Sequence, residues 1–271
     1  MQVIPRAAEA VKGYDPHTLS HIDPTHRIRR LNGTVVQLQE PARGIVRVRV
    51  AVDGRPLMFA PGQYAHVSIE GSPECAHAMA NRPGDPLLEF HVKGVAGELR
   101  EGARVRLHGP HGTALWRKPF GEPMLLVAFD SGFAPIKSLL LWALAEAADD
   151  IGPVHVYHGA QEACDLHDGD IIANAGGGIV HYVPVASEPS VERLCRHGSL
   201  AQAIESDFPS LAGFRVYLAG PRAVVEECTA AAVRLGARHD DVHADDLADA
   251  SRTPIAAQEP PRRGLLRAIF G

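Results

Sequence analysis

The spacing of hydrophobic positions changes part-way along this 271-residue chain, and the change divides it into segments. Residues 1–30 are polar, broken by Pro5, Pro16 and Pro24, and follow neither a helical nor a strand period, so they read as an N-terminal extension that docks instead of folding alone. From 31 to 119 the pattern alternates: Val46, Val48 and Val50 are interleaved with Arg47 and Arg49, then come QYAHVSI, LLEFHVK and ARVRLH, separated by glycine and proline turns. Short alternating strands with such turns predict an antiparallel β-barrel. KPFGEP (118–123) has the composition of a turn and marks the boundary.

From 123 to 247 the strands lose their alternation. MLLVAF, VHVYH, IVHYVPV and FRVYLAG are nearly continuous apolar runs, as expected of strands covered on both faces, and they imply a parallel sheet. Helical patterns fall between them at PIKSLLLWALAEA, HGSLAQAIES and PRAVVEECTAAAVRLG, the last opening at Pro221 and closing at Gly236. This half is predicted to be a doubly wound α/β nucleotide-type domain. Residues 248–271 form a linker ending in LLRAIFG, where Leu265, Leu266, Ile269 and Phe270 fall at helical spacing beside arginines, the make-up of a docking peptide.

Charge and composition narrow the function. A net charge of −5 without long runs of like charge argues against nucleic acid as a partner and leaves small molecules or proteins. Four cysteines, far apart and without a CxxC pair, argue against a zinc knuckle, an iron–sulfur cluster or a disulfide framework, and fit a reducing cytoplasm. No stretch reaches membrane-spanning length. Among fifteen histidines, His77 is two residues from Cys75, so on a strand the two share a face and form a candidate metal or haem pair, with His108 and His111 nearby in sequence. His155 and His158 point to opposite faces of their strand. Gly176, Gly177 and Gly178 precede a strand, so they read as a turn and not a phosphate loop.

FAPGQY (59–64), AMAN (78–81), LHGPHG (107–112), SGFAP (131–135) and LAGP (218–221) occur in this order across a barrel and an α/β half. In this the chain resembles the ferredoxin:NADP⁺ reductase family, and more narrowly the reductase components of bacterial oxygenases. The resemblance implies a flavin domain followed by a nicotinamide domain. FAD and NAD(P)H would be the cofactors, and the cofactor positions would be His77, Met79, Asn81, Gly109, Gly112, Ser131, Gly132, Gly220 and Pro221.

At several of those positions the residues depart from the family's pattern. Where the flavin motif has Arg, any residue, Tyr and Ser, this chain has Cys75, Ala76, His77 and Ala78, which removes a forked cationic donor and a hydroxyl and leaves only His77 to stack on a flavin. The segment GVAGELREG leaves room for a turn but hardly for the family's phosphate-binding helix. In place of the GGTGxxP loop stand Phe129, Asp130, Ser131, Gly132, Phe133, Ala134 and Pro135, with Asp130 or Ser131 placed to cap the helix amides that would otherwise receive a phosphate. Gln161 stands for the family's arginine, and Ala219 for its cysteine. The expectation is a reductase-like chain with no cofactor, acting as an accessory or structural subunit of an oxygenase-type redox complex through its terminal segments. Two alternatives stand beside it: a working NAD(P)H-dependent flavoprotein using His77, and a metal or haem binder using Cys75 and His77.

Overall fold

A computed structural model describes residues 27–93, 99–112, 121–146, 151–175, 177–189 and 195–245. Both expected halves are there. The first is a six-stranded antiparallel sheet of β1 (Arg29–Ala42), β2 (Ile45–Val52), β3 (Tyr64–Ile69), β4 (Cys75–Ala78), β5 (Leu87–Lys93) and β6 (Arg104–His111). Their order is β4-β3-β6-β1-β2-β5, and the two outer strands meet through a single bridge between Met79 and Phe90, which nearly closes a barrel. Alternation decides what fills it: Val35, Val48, Val50, Val67, Phe90 and Leu107 point inward and are almost wholly buried.

The second half is an all-parallel sheet of β7 (Met124–Phe129), β8 (Val154–Ala160), β9 (Val180–Ala186), β10 (Arg196–His197), β11 (Arg215–Ala219) and β12 (Val242–Asp245), in the order β10-β9-β8-β7-β11-β12. Helices α1 (Phe133–Glu146) and α2 (Gly169–Ala175) cover one face, over a core containing Leu126, Leu139, Leu140 and Tyr217. On the other face α3 (Leu200–Asp207) and α4 (Arg222–Arg234) cover Leu125, Val127 and Val216, with Cys228 of α4 in the same core. The Ser199 hydroxyl caps α3 by accepting a hydrogen bond from the Gln202 backbone N–H, and the Gln202 side-chain oxygen accepts one from the Ser199 backbone N–H, a reciprocal box that fixes where the helix starts.

Two features differ from the sequence pattern. Helix α2 was not anticipated, because seven residues with only Ile172 buried carry too little period to read. Helix α1 is buried nearly all round over its first three turns, since it lies between the sheet and the barrel. The turn at Gly177 and Gly178 is as expected, both residues having positive φ. No helix among the described residues is long and apolar enough to cross a membrane, and none of the cysteines is in a disulfide.

Candidate functional site

The strand order reverses between β7 and β11, so a crevice lies beyond the C-terminal ends of these strands, the usual ligand position of an open α/β sheet. Gly132 lies where the β7–α1 loop meets β11, and a Cβ there would come within 2.4 Å of the Ala219 carbonyl oxygen. Gly220 has φ +154 and packs on Phe129, and Pro221 precedes the first turn of α4. These residues are required by the backbone whatever the crevice binds. Ser131 is exposed beside them. Phe129 and Leu200 lie against Leu218, Val225 and Cys228 in an apolar depression too tight to admit a water molecule. The side-chain amide of Gln161 donates to Glu188 at 2.7 Å.

Asp130 departs from the sequence expectation. It adopts a left-handed backbone (φ 57), and one carboxylate oxygen pairs with Lys93 of the barrel. The other, Oδ1, is buried and accepts no hydrogen bond. Asp130 therefore does not cap the amides of α1; it holds a negative charge next to the start of that helix and ties the loop to β5.

On the barrel, β3 and β4 pair Tyr64 with Ala78, Ala65 with His77, His66 with Ala76 and Val67 with Cys75. Ala65 and Val67 are core residues, so Cys75 and His77 share the inward face, as the alternation predicted. The His77 ring meets Phe90 edge-on with centroids 6.4 Å apart, and burial pushes its pKa down to about 4. This is not the outer face, where Tyr64 and Ala78 pack against Ala134 of α1. Met79 is part of the barrel core. The Asn81 side chain accepts from the Glu89 amide (2.9 Å) and donates to the Arg82 carbonyl (3.0 Å), while its own carbonyl accepts from the Ser138 hydroxyl (2.8 Å). Gly109 packs on Ala65, and the Gly112 carbonyl accepts from Gln63 at 3.0 Å. Each of these cofactor-position residues has a structural task.

Between the halves lies a buried polar cluster that the sequence did not reveal. Lys137 of α1 donates to Glu89 of β5 at 2.7 Å and to Asp168, just before α2, at 2.5 Å, and all three are at most 5% exposed. Arg47 of β2 also pairs with Asp168, and Arg49 donates to Glu89 at 2.9 Å. His91 bonds Glu89 at 3.2 Å and His167 at 3.1 Å, and His167 packs edge-on to Phe133 and His158. His158 is fully buried and stacks on Phe133 with centroids 4.0 Å apart. Burial pushes the Glu89 carboxyl upward, but the His91 hydrogen bond and the Lys137 charge outweigh it and hold Glu89 far below the usual carboxylate range. Burial drives His91 and His158 below the usual imidazole value and His167 down to about 3.

Ligand atoms of Glu89, His91 and Asp168 lie within 4.8 Å of one another, a spacing that suits a metal. The Lys137 ammonium already provides the cation between the two carboxylates. The readable signal was Lys137 itself, the lone charged residue over the first three turns of a mostly apolar helix. Arg47 and Arg49 looked solvent-facing because they occupy the outer face of β2, a face the second half covers.

Residues 126–230 match the oxidoreductase NAD-binding domain family. A ferredoxin–NAD(P)⁺ reductase component of naphthalene 1,2-dioxygenase and salicylate 5-hydroxylase systems from Ralstonia is 35% identical, over 81% of this chain and 70% of its own length. Its counterpart in the naphthalene 1,2-dioxygenase system of Pseudomonas putida is 36% identical, over 82% and 70%. The chain belongs to the ferredoxin:NADP⁺ reductase superfamily. An Amycolatopsis cytochrome P450 reductase shares the fold with a TM-score of 0.75 and 31% identity, over 82% of this chain and 71% of that one.

A dinucleotide phosphate entering the switch-point crevice would meet the Asp130 carboxylate and the Phe129 ring. On the barrel, Ala76 and Ala78 give the outer face of β4 neither a cation nor a hydroxyl. Residues 94–98 of GVAGELREG, residues 118–120 of the boundary turn KPFGEP, and the docking stripe at Leu265, Leu266, Ile269 and Phe270 lie outside the described residues.

Proposed function

We propose that this chain is a ferredoxin reductase-like protein that no longer transfers hydride and serves as an accessory subunit of an oxygenase-type redox system. The observation that carries the reading is Asp130. Its carboxylate lies beside the start of α1, in the switch-point crevice, with one oxygen tied to Lys93 and the other buried without a hydrogen-bond partner. A negative charge there opposes the anionic pyrophosphate that a helix N-terminus would otherwise attract. The inward turn of His77 and the alanines at 76 and 78 support the same reading on the flavin side. Docking would fall to the terminal segments 1–30 and 248–271, the second with its stripe of Leu265, Leu266, Ile269 and Phe270.

The test is the visible absorption spectrum of the purified protein before and after incubation with excess FAD and desalting, followed by NADH and NADPH oxidation with a dye acceptor. Neither a flavin band nor oxidation is expected. A stoichiometric flavin band with turnover would overturn the proposal. The alternative, a working NAD(P)H-dependent flavoprotein passing electrons to a partner protein, has one observation in its favour: Gly132 and Gly220 keep the close strand-to-loop approach that a nucleotide crevice requires.

A further inference from the structure

We propose that His66, His108 and His111 form a binding site for a first-row transition-metal cation of the zinc class on the outer face of the barrel. His66 of β3 and His108 of β6 are direct cross-strand partners, so their side chains leave the sheet on the same side. His111 comes back to them because the β3–β6 register shifts between Tyr64 and His66, and its ring stacks on Tyr64 with centroids 5.5 Å apart. The three rings lie 4.7 Å (His108–His111), 4.8 Å (His66–His111) and 6.4 Å (His66–His108) apart.

These separations can be compared with a tetrahedral ion. Two imidazole nitrogens bound at about 2.0–2.1 Å lie about 3.3 Å from each other, with ring centres about 5 Å apart. His111 Nε2 and His108 Nδ1 are 3.2 Å apart, and two of the three ring distances are close to that value. Only the 6.4 Å pair is too wide, and closing it takes a turn of the whole His66 side chain about its Cα–Cβ bond. That turn breaks no hydrogen bond at Nδ1, because this nitrogen is hidden from solvent and has no partner. An imidazole nitrogen left without water or a bond is costly, and a cation would relieve it.

The surroundings pull both ways, and burial opposes positive charge at His66 and His111. Glu74 lies close enough for its negative charge to be felt at His66, while the Arg106 guanidinium reaches toward Ser68 at 3.5 Å. Three imidazoles leave a fourth coordination position for water or for a group from another molecule. The Glu89, His91 and Asp168 cluster is the poorer candidate, because Lys137 already lies between its carboxylates.

The experiment uses the full chain, stripped with a chelator and titrated with Zn²⁺ by calorimetry and with Co²⁺ by visible absorption. The expected result is one equivalent of Zn²⁺ and the intense spectrum of tetrahedral Co²⁺. Both should vanish in the His66→Ala/His108→Ala double variant and persist in a His155→Ala/His181→Ala control, which removes another stacked pair, 4.9 Å apart on the parallel sheet. No zinc binding, binding that survives in the double variant, or a weak octahedral Co²⁺ spectrum would each overturn the proposal. If circular dichroism shows the double variant unfolded, His111→Gln decides instead, with loss of the Co²⁺ spectrum expected and its retention contradicting the site.

Discussion

Lys137 places a charge where almost no charge is found, 4% exposed on a helix whose first three turns carry no other charged side chain. Desolvation lowers its pKa, and the carboxylates of Glu89 and Asp168 keep it cationic. A buried pair of this kind contributes little net stability compared with a well-packed apolar replacement, yet removing one partner strands the others. Lys137→Met should therefore cost about 3–5 kcal/mol in urea unfolding, because two carboxylates lose their shared cation. A loss below about 1 kcal/mol would mean that Arg47 and Arg49 suffice to hold them. At this scale the sequence was partly legible. The glycines at 132 and 220 and the proline at 221 announced tight turns, whereas the partners of Glu89 could not be read, since they come from positions 47, 49, 91 and 137 and no local motif links these.

At the scale of elements, the β7–α1 turn decides what the molecule can bind. The first turn of α1 presents amides toward the crevice, and Asp130 lies beside them without bonding to them. Asp130→Gly removes the carboxylate, suits the left-handed backbone and frees Lys93. NADH affinity, followed by fluorescence, should rise about tenfold, equivalent to about 1.4 kcal/mol. An unchanged affinity would show that Phe129 and Leu200, and not the charge, close the crevice. The strands and long helices were legible because period 2 in the barrel and unbroken apolar runs in the sheet leave little choice of partner. The aspartate's role was misread: the sequence suggested a helix cap, but Lys93 from the other half reached the carboxylate first.

At the scale of the whole molecule, the two halves are joined by the cluster around Lys137 and by the neutral imidazoles of His91, His158 and His167. Their pKa values are lower in the native state than in the unfolded chain, so between about pH 6.5 and about pH 3 the unfolded state binds protons that the native state refuses. This stability is fully present above pH 6.5 and is lost as pH falls, at up to about 1.4 kcal/mol per pH unit for each histidine. Urea midpoints should drop steeply between pH 7 and pH 5, and a flat profile would contradict the burial of these rings. The division into barrel and parallel sheet could be read from periodicity. Their mode of contact could not, because the outer face of β2 and β5 looks polar until the second half covers it.

The backbone of Glu89 closes the barrel, its carbonyl accepting from Ala80 at 2.8 Å and its amide donating to Asn81 at 2.9 Å, while its side chain grips Lys137. Asn81 is in turn fastened to Ser138 of α1. One residue thus serves as the latch of the barrel seam and as the hinge pin to the neighbouring half. Its amide hydrogen is consequently a built-in clock for both motions: exchange with deuterium at Glu89 should accelerate in Ser138→Ala in step with any parting of the two halves, and an unaltered rate would show that the seam opens on its own.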